Sequence, residues 1–279
     1  MKKFLLVAML FSNFLSGEAQ QITTAQASPT QNLKQNFGLG SIELNYSRPG
    51  LKDRKIGTND FVPYGKVWRT GANGATTLQF SDDVTIGGKL IKAGKYGLLS
   101  IPDNNDWTLI ITTDLTVTSP GQYKQENDVV RVKAPVRKLA EKVETFTINF
   151  SNITNNSTEL QLSFDNALVT LPIVTGTDEK VMKQIDNLLA KDNRPFYAAA
   201  LYYFENGKDI AKAKEWIDKA AADPANAKSL NVTWLKARIY QKAGDKAGAK
   251  ASAEKLLSIA TETKNDDFIK RAQEFLKGL

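Results

Sequence analysis

Two residue types are missing from this chain altogether, cysteine and histidine. Without cysteine there is no disulfide staple, no thiol nucleophile, no thiolate metal site and no lipid-bearing residue behind a signal peptide. Without histidine there is no Ser-His-Asp triad, no imidazole base and no histidine-ligated zinc or copper. Catalysis would have to rest on carboxylates, lysine, tyrosine or a Ser-Lys pair. A membrane-spanning apolar run is lacking too. The apolar run at residues 4–15 is broken by Ser12 and Asn13 and falls short of the roughly 20 residues that a transmembrane helix needs.

What is present gives that short run a different meaning. Met1-Lys2-Lys3 precedes it and Ser16-Gly17-Glu18-Ala19 follows it, the pattern of a secretory signal peptide over residues 1–19 with cleavage after Ala19. The expected location is therefore periplasmic or secreted, with no transmembrane segment. Residues 20–32 are expected to form a flexible leader. About 260 residues remain, enough for two modest domains. Burial must stabilise them without disulfides, and a hydrophobic content of 42% can supply it. The formal charge of +7 falls by one when Lys2, Lys3 and Glu18 leave. In an exported protein such a charge points to anionic envelope or glycan surfaces, and no nucleic-acid partner is expected.

Residues 33–174 alternate with a period of two, the signature of half-buried strands. Ile42, Leu44 and Tyr46 share one face, and Leu78 and Phe80 repeat the pattern. Trp107, Leu109 and Ile111 do so as well, as do Phe146, Ile148 and Phe150, then Leu160, Leu162 and Phe164, and finally Val169, Leu171 and Ile173. Gly87-Gly88 between two short apolar segments reads as a two-residue hairpin. About nine short strands of this kind imply an antiparallel β-sandwich or open barrel, and the sandwich is the fold expected here.

Beyond Val174-Thr175-Gly176-Thr177-Asp178 the period changes to 3.6, and residues 178–279 read as helices. Val181, Ile185, Leu188 and Leu189 form one stripe, and amphipathic segments follow near 195–206, 209–222, 228–243, 246–262 and 266–277. Ala200, Tyr203 and Gly207 recur as Ala237, Tyr240 and Gly244, while Ala213 and Ile217 recur as Ala249 and Ala253. That spacing resembles tetratricopeptide repeats, whose period is about 34. Two repeats are too few to stand alone, so the β domain or the helix near 178–190 is expected to cap them. The class is α+β: an amino-terminal antiparallel β-sandwich followed by a carboxy-terminal tetratricopeptide-like α-helical repeat domain.

Cations, aromatics and glycines crowd residues 46–102. Candidate ligand-binding residues are Tyr46, Arg48, Arg54, Tyr64, Trp68, Arg69 and Asn73. Guanidinium groups bind carboxylate, sulfate or phosphate in a bidentate way, and aromatic rings stack on sugar faces. Arg48, on the apolar side just before Pro49-Gly50, is expected at the rim of its sheet. If these residues form an exposed site, replacing Arg48 or Arg69 by alanine weakens the ligand and costs under about 1 kcal/mol of stability. In the competing reading Trp68 and Tyr46 anchor the core and the arginines cap strand ends. Asp103-Asn104-Asn105-Asp106 and Ser81-Asp82-Asp83 carry oxygen ligands but lack the spacing of a calcium loop. They read as turns, so no metal and no cofactor is expected.

Tyr46-Ser-Arg-Pro, Pro63-Tyr-Gly-x-x-Trp-Arg-Thr-Gly-Ala-Asn, Ile86-Gly-Gly-Lys and Ala93-Gly-Lys-Tyr carry a further signal. Together they resemble the domain-of-unknown-function 2911 family of exported bacterial proteins over about residues 27–173. The resemblance implies a β-rich exported domain without an established activity, followed by helical repeats. Tyr46, Arg48, Pro49, Tyr64, Gly65, Trp68, Arg69, Gly71 and Asn73 fall on its signature positions.

The function expected from the sequence is a non-enzymatic binding or scaffold protein. Its β domain would take an anionic or glycan ligand and its helices an envelope protein partner. The alternative is a carboxylate-based hydrolase acting on envelope glycans or esters.

Overall fold

Alternation in the first half of the chain is realised, among the described residues, as ten antiparallel strands. The computed structural model describes residues 24–59, 61–191 and 195–279; the expected signal peptide at 1–19 lies outside them. The strands are β1 (Thr30–Phe37), β2 (Gly40–Ser47), β3 (Thr77–Phe80), β4 (Val84–Ile86) and β5 (Lys89–Ile91). They continue with β6 (Gly94–Ile101), β7 (Asp106–Thr112), β8 (Asp128–Pro135), β9 (Arg137–Ser151) and β10 (Ser157–Thr175). Six form one sheet in the order β1-β2-β3-β6-β7-β8, and four form a second in the order β5-β4-β10-β9.

The inward faces of both sheets meet in one core. Ile42, Leu44, Leu78, Phe80, Trp107 and Leu109 come from the first sheet, and Ile86, Phe146, Ile148, Leu162, Phe164 and Leu171 from the second. This is the two-layer arrangement in which each sheet hides its apolar face against the other. Gly87 and Gly88, with φ of 57° and 77°, make the expected hairpin between β4 and β5, where both central residues need a left-handed conformation.

Two features differ from the sequence expectation. Strand β1 starts at Thr30, inside the stretch expected as a leader, and pairs with β2 over its whole length. Only Leu33 and Phe37 along β1 are apolar, so an edge strand was hidden by its polar composition. The segments around Leu160 and Val169 are one 19-residue strand, not two. Its register against β9 shifts at Asp165, which adopts φ 53°, so an irregularity inside one strand looked like a break between two.

The chain divides into two compact units at Thr175/Gly176, and the second is helical. It holds α1 (Thr177–Leu189), α2 (Phe196–Glu205), α3 (Ile210–Ala222), α4 (Leu230–Lys242), α5 (Lys246–Glu262) and α6 (Asp266–Lys277). Asp209, Ser229, Asp245 and Asn265 cap the amino ends of α3 to α6 by accepting backbone N–H bonds. Gly207 and Gly244 end α2 and α4 with φ of 64° and 78°, the left-handed exit that glycine adopts at least cost. The repeated alanines 200, 213, 237, 249 and 253 are all fully buried, so small side chains sit where helices approach. Helix α1 packs Ile185, Val181, Met182 and Leu189 on the same core as α2, α3 and α4.

Candidate functional site

Strand β9 is an edge of the second sheet, and an edge leaves backbone groups unpaired unless something covers them. The Tyr46-Ser47-Arg48-Pro49-Gly50 motif covers this one. The Tyr46 hydroxyl accepts the Ile148 N–H at 2.9 Å and lies 2.9 Å from Gln31 Oε1. The Arg48 guanidinium donates to Phe146 O at 3.1 Å and to Thr147 Oγ1 at 2.7 Å. Pro49 O accepts the Phe146 N–H, and the Leu51 N–H donates to Glu144 O. The chain leaving β2 thus crosses to the other sheet and completes β9 where the β9–β10 register shifts. Tyr46 is 1% exposed, and burial pushes its hydroxyl pKa up.

Residues 68–76 form a second fixed element. Trp68 exchanges both backbone bonds with Ser100, extending the first sheet past the end of β3. Its indole N–H donates to Gly71 O at 3.1 Å. Its ring stacks on Phe164 at 6.1 Å and meets Trp107 and Phe146 edge-on. Arg69 donates to Asn73 O, and Asn73 Nδ2 donates to Ser28 O and Ser47 Oγ. Gly71 is required here: a Cβ would lie 2.9 Å from both Ser47 O and Thr76 Oγ1.

Arg54 is exposed, yet its guanidinium donates to Leu51 O and Gly50 O and lies 3.7 Å from the centre of the Phe61 ring. The three arginines therefore do not converge on a common cleft; each binds backbone carbonyls of its own neighbourhood. Tyr46 and Trp68 belong to the core. The sequence expectation that Arg48→Ala leaves stability nearly unchanged is revised, because its donors hold β9.

Tyr64 is the exception among the seven. It is 38% exposed and leans on Gly57, where an added Cβ would lie 2.5 Å from the ring. Val62 beside it is buried with φ 48°, an unfavourable conformation for a β-branched residue. Gly57 N–H donates to Val62 O at 2.9 Å and helps hold that strain. Tyr64 borders a cavity of about 200 Å³ that also takes Lys55, Asp103, Asn104, Lys138 and Asp165. These residues come from the loop after β2, the β6–β7 turn, the start of β9 and the β10 bulge. Burial, then the carboxylates of Asp165 and Asp103, raise the Tyr64 pKa, so at neutral pH the hydroxyl is a donor. Asp165 is 7% exposed, 3.8 Å from Lys142 Nζ. Lys138 Nζ donates to Asn104 Oδ1 at 3.4 Å.

Of the pocket, the sequence reading offered only Tyr64 as ligand-binding; Asp103-Asn104 it read as a turn carrying oxygen ligands, and Lys55 fell among the cations of residues 46–102. Asp165 carried a signal, since it interrupts the alternation between Phe164 and Val169; Lys138 carried none. Among the described residues no group of three or more acidic side chains could hold a metal ion, and no helix is long and apolar enough to cross a membrane.

Residues 28–173 match the family described as "Protein of unknown function (DUF2911)", which is more than half of the chain. The protein belongs to the DUF2911 family. No curated protein and no solved structure matches it. The DUF2911 match spans the sandwich from before β1 almost to the end of β10, so it contains the β9 edge cover, the Trp68 element and the Tyr64 pocket.

The helical unit lies beyond the DUF2911 match and has its own recurring tie. The Tyr202 hydroxyl donates to Asp178 at 2.9 Å and the Tyr240 hydroxyl to Asp218 at 2.6 Å, joining α2 to α1 and α4 to α3. Lys208, Lys236 and Lys214 pair with Asp178, Asp218 and Asp245. Tyr203, the sequence match of Tyr240, instead packs against Trp216. Gly248 in α5 makes room for the Tyr240 ring, which a Cβ there would meet at 2.0 Å.

Proposed function

We propose that this DUF2911 protein is an exported, non-enzymatic binding protein whose β unit holds a glycan end against Tyr64. The observation that carries this reading is the balance of the Tyr64 pocket. Lys55 and Lys138 are matched there by Asp103 and Asp165, with the Asn104 and Asn166 amides and one aromatic ring beside them. Carboxylates and amides accept and donate to sugar hydroxyls, and an aromatic ring offers a face to the sugar's C–H groups. A phosphate or sulfate would face two carboxylates, so of the two ligand classes drawn from the sequence the glycan fits better. The signal peptide pattern at 1–19 agrees with a periplasmic or secreted site of action.

We read the helix pairs α2–α3 and α4–α5 as tetratricopeptide-like repeats that engage an envelope protein. Phe204, Arg238 and Trp234 support this: the guanidinium lies 4.6 Å from the Phe204 ring and 5.8 Å from the Trp234 ring. Rows of aromatic and arginine side chains are the residue types that dominate protein interfaces.

The hydrolase reading is also favoured by one observation, that Asp103 and Asp165 line the same pocket, since glycoside hydrolysis uses two carboxylates. Titration calorimetry of the mature protein with neutral oligosaccharides separates the two. Saturable binding that falls tenfold or more in Tyr64→Ala and Asp165→Asn, with no sugar released, supports the binding protein. Product release abolished by Asp165→Asn supports the hydrolase, and neither binding nor turnover overturns both.

A further inference from the structure

A second, larger cavity of different chemistry shares no lining residue with the Tyr64 pocket. Strand β9 begins at Arg137, opposite Leu168 of β10, so β10 beyond Leu168 has no strand on that side. The open flank looks onto β8 across a groove of about 660 Å³, within the roughly 300–1,000 Å³ of small-molecule sites. The Gly87-Gly88 hairpin closes on β8 at this groove. A Cβ on Gly87 would lie 2.6 Å from Val132 Cγ2, so only glycine lets the hairpin sit this close.

The groove wall is mainly apolar. Val132, Pro135, Leu168, Pro172 and Val174 line it, and Val174 is 44% exposed. Its charged residues are Lys133 and Arg137, both exposed; no acid lines it, and neither cation has a carboxylate partner among the described residues. An apolar trough with two cations and no anion is complementary to an anionic amphiphile. A peptide adding itself as a strand fits less well, because Pro172 in this part of β10 has no N–H to donate.

We propose that this groove binds the acyl chain of a single-chain anionic lipid, with the carboxylate or phosphate head held by Lys133 and Arg137. The site is separate from the Tyr64 pocket, so occupancy of one does not require the other. Each fully buried methylene of the chain would tighten binding about fourfold, and the two cations would reject a positively charged head.

The test is titration of the mature protein with octanoate, decanoate and dodecanoate below their micelle concentrations, with dodecyl phosphate, dodecanol and dodecylammonium alongside. Expected are saturable binding that tightens with each added methylene, and dodecylammonium at least tenfold weaker than dodecanoate. Dodecyl phosphate against dodecanoate separates the two head groups. Lys133→Glu with Arg137→Glu should weaken dodecanoate tenfold or more and relieve the rejection of dodecylammonium. Thr170→Trp, which fills the groove without touching the cations, should abolish binding; circular dichroism of each variant shows whether it remains folded. The proposal is overturned if dodecanoate fails to saturate, if its affinity ignores chain length, or if the folded charge-reversal variant binds it unchanged.

Discussion

In the β unit the polar side chains that follow β2 are bonded chiefly to backbone, whereas in the helical unit polar side chains are bonded to one another. Arg48, Arg54, Arg69, Trp68 and Asn73 donate chiefly to carbonyl oxygens. Tyr202, Tyr240, Lys208, Lys236 and Lys214 donate to aspartates on neighbouring helices or their caps. The difference follows from the secondary structure. A helix satisfies its own interior backbone, which leaves side chains free to tie one helix to the next. A sheet ends in an edge, and the loops around it carry carbonyls that something must satisfy. Arginine suits the second task because its guanidinium offers five donors and stays charged at any working pH.

Three perturbations would break or sharpen this contrast. Trp68→Ala carries the largest expected effect. It empties the contact among Trp107, Phe146 and Phe164 and should cost the β unit about 3–5 kcal/mol, read from denaturant midpoints and from hydrogen exchange of the β6 and β9 amides. Loss of under 1 kcal/mol would mean that the aromatic cluster does not join the sheets.

Arg48→Ala is expected to cost about 1.5–3 kcal/mol, since it removes two charge-assisted bonds and leaves Phe146 O without its side-chain donor. The β9 amides near Phe146 and Ile148 should lose protection first. An unchanged denaturation midpoint would return Arg48 to the role of a ligand contact.

The smallest effect is in the helical ties and depends on pH. Tyr240→Phe should cost about 1 kcal/mol at neutral pH. Hydrogen bonds from Lys208 and Lys214 hold the Asp178 and Asp245 carboxyls below the usual carboxylate range. Their stabilising contribution is therefore present above about pH 4 and lost as pH falls through the lowered values. Burial, then the bond to Asp178, pushes Tyr202 up to about 12, so that contribution is full below about pH 10 and lost as pH rises toward 12. The arginine–carbonyl bonds of the β unit involve no carboxylate. Amide exchange followed from pH 7 to 2 should show protection falling in α1, α2 and α5 while Phe146 and Ile148 hold; the reverse order would break the comparison.

Much of the fold was legible along the chain because it rests on local periodicity. Ile42-x-Leu44-x-Tyr46 and Phe146-x-Ile148-x-Phe150 announce their strands, Gly87-Gly88 its hairpin, and Ala200 with Gly207 the helix pair repeated at Ala237 and Gly244. Strand β1 was not legible, since an edge strand with two apolar residues has little to alternate. Of the candidate site, Tyr64 was legible as a ligand contact and Asp103-Asn104 only as a turn. Arg48, Arg69 and Trp68 look the same in sequence whether they face a ligand or satisfy a neighbour, because residue type sets donor capacity and not direction.

The change from strands to helices near Gly176, the absence of thiol and imidazole chemistry and the membership in DUF2911 all follow from the residues as written. Tertiary structure alone decided that Tyr46 and Arg48 complete the β9 edge across about 100 residues of chain. It alone brought Lys55, Asp103, Lys138 and Asp165 beside Tyr64 and opened the groove between β8 and β10. Those are meetings of distant segments set by sheet pairing and register, and no local pattern encodes which side chains will share a space once two sheets close on each other.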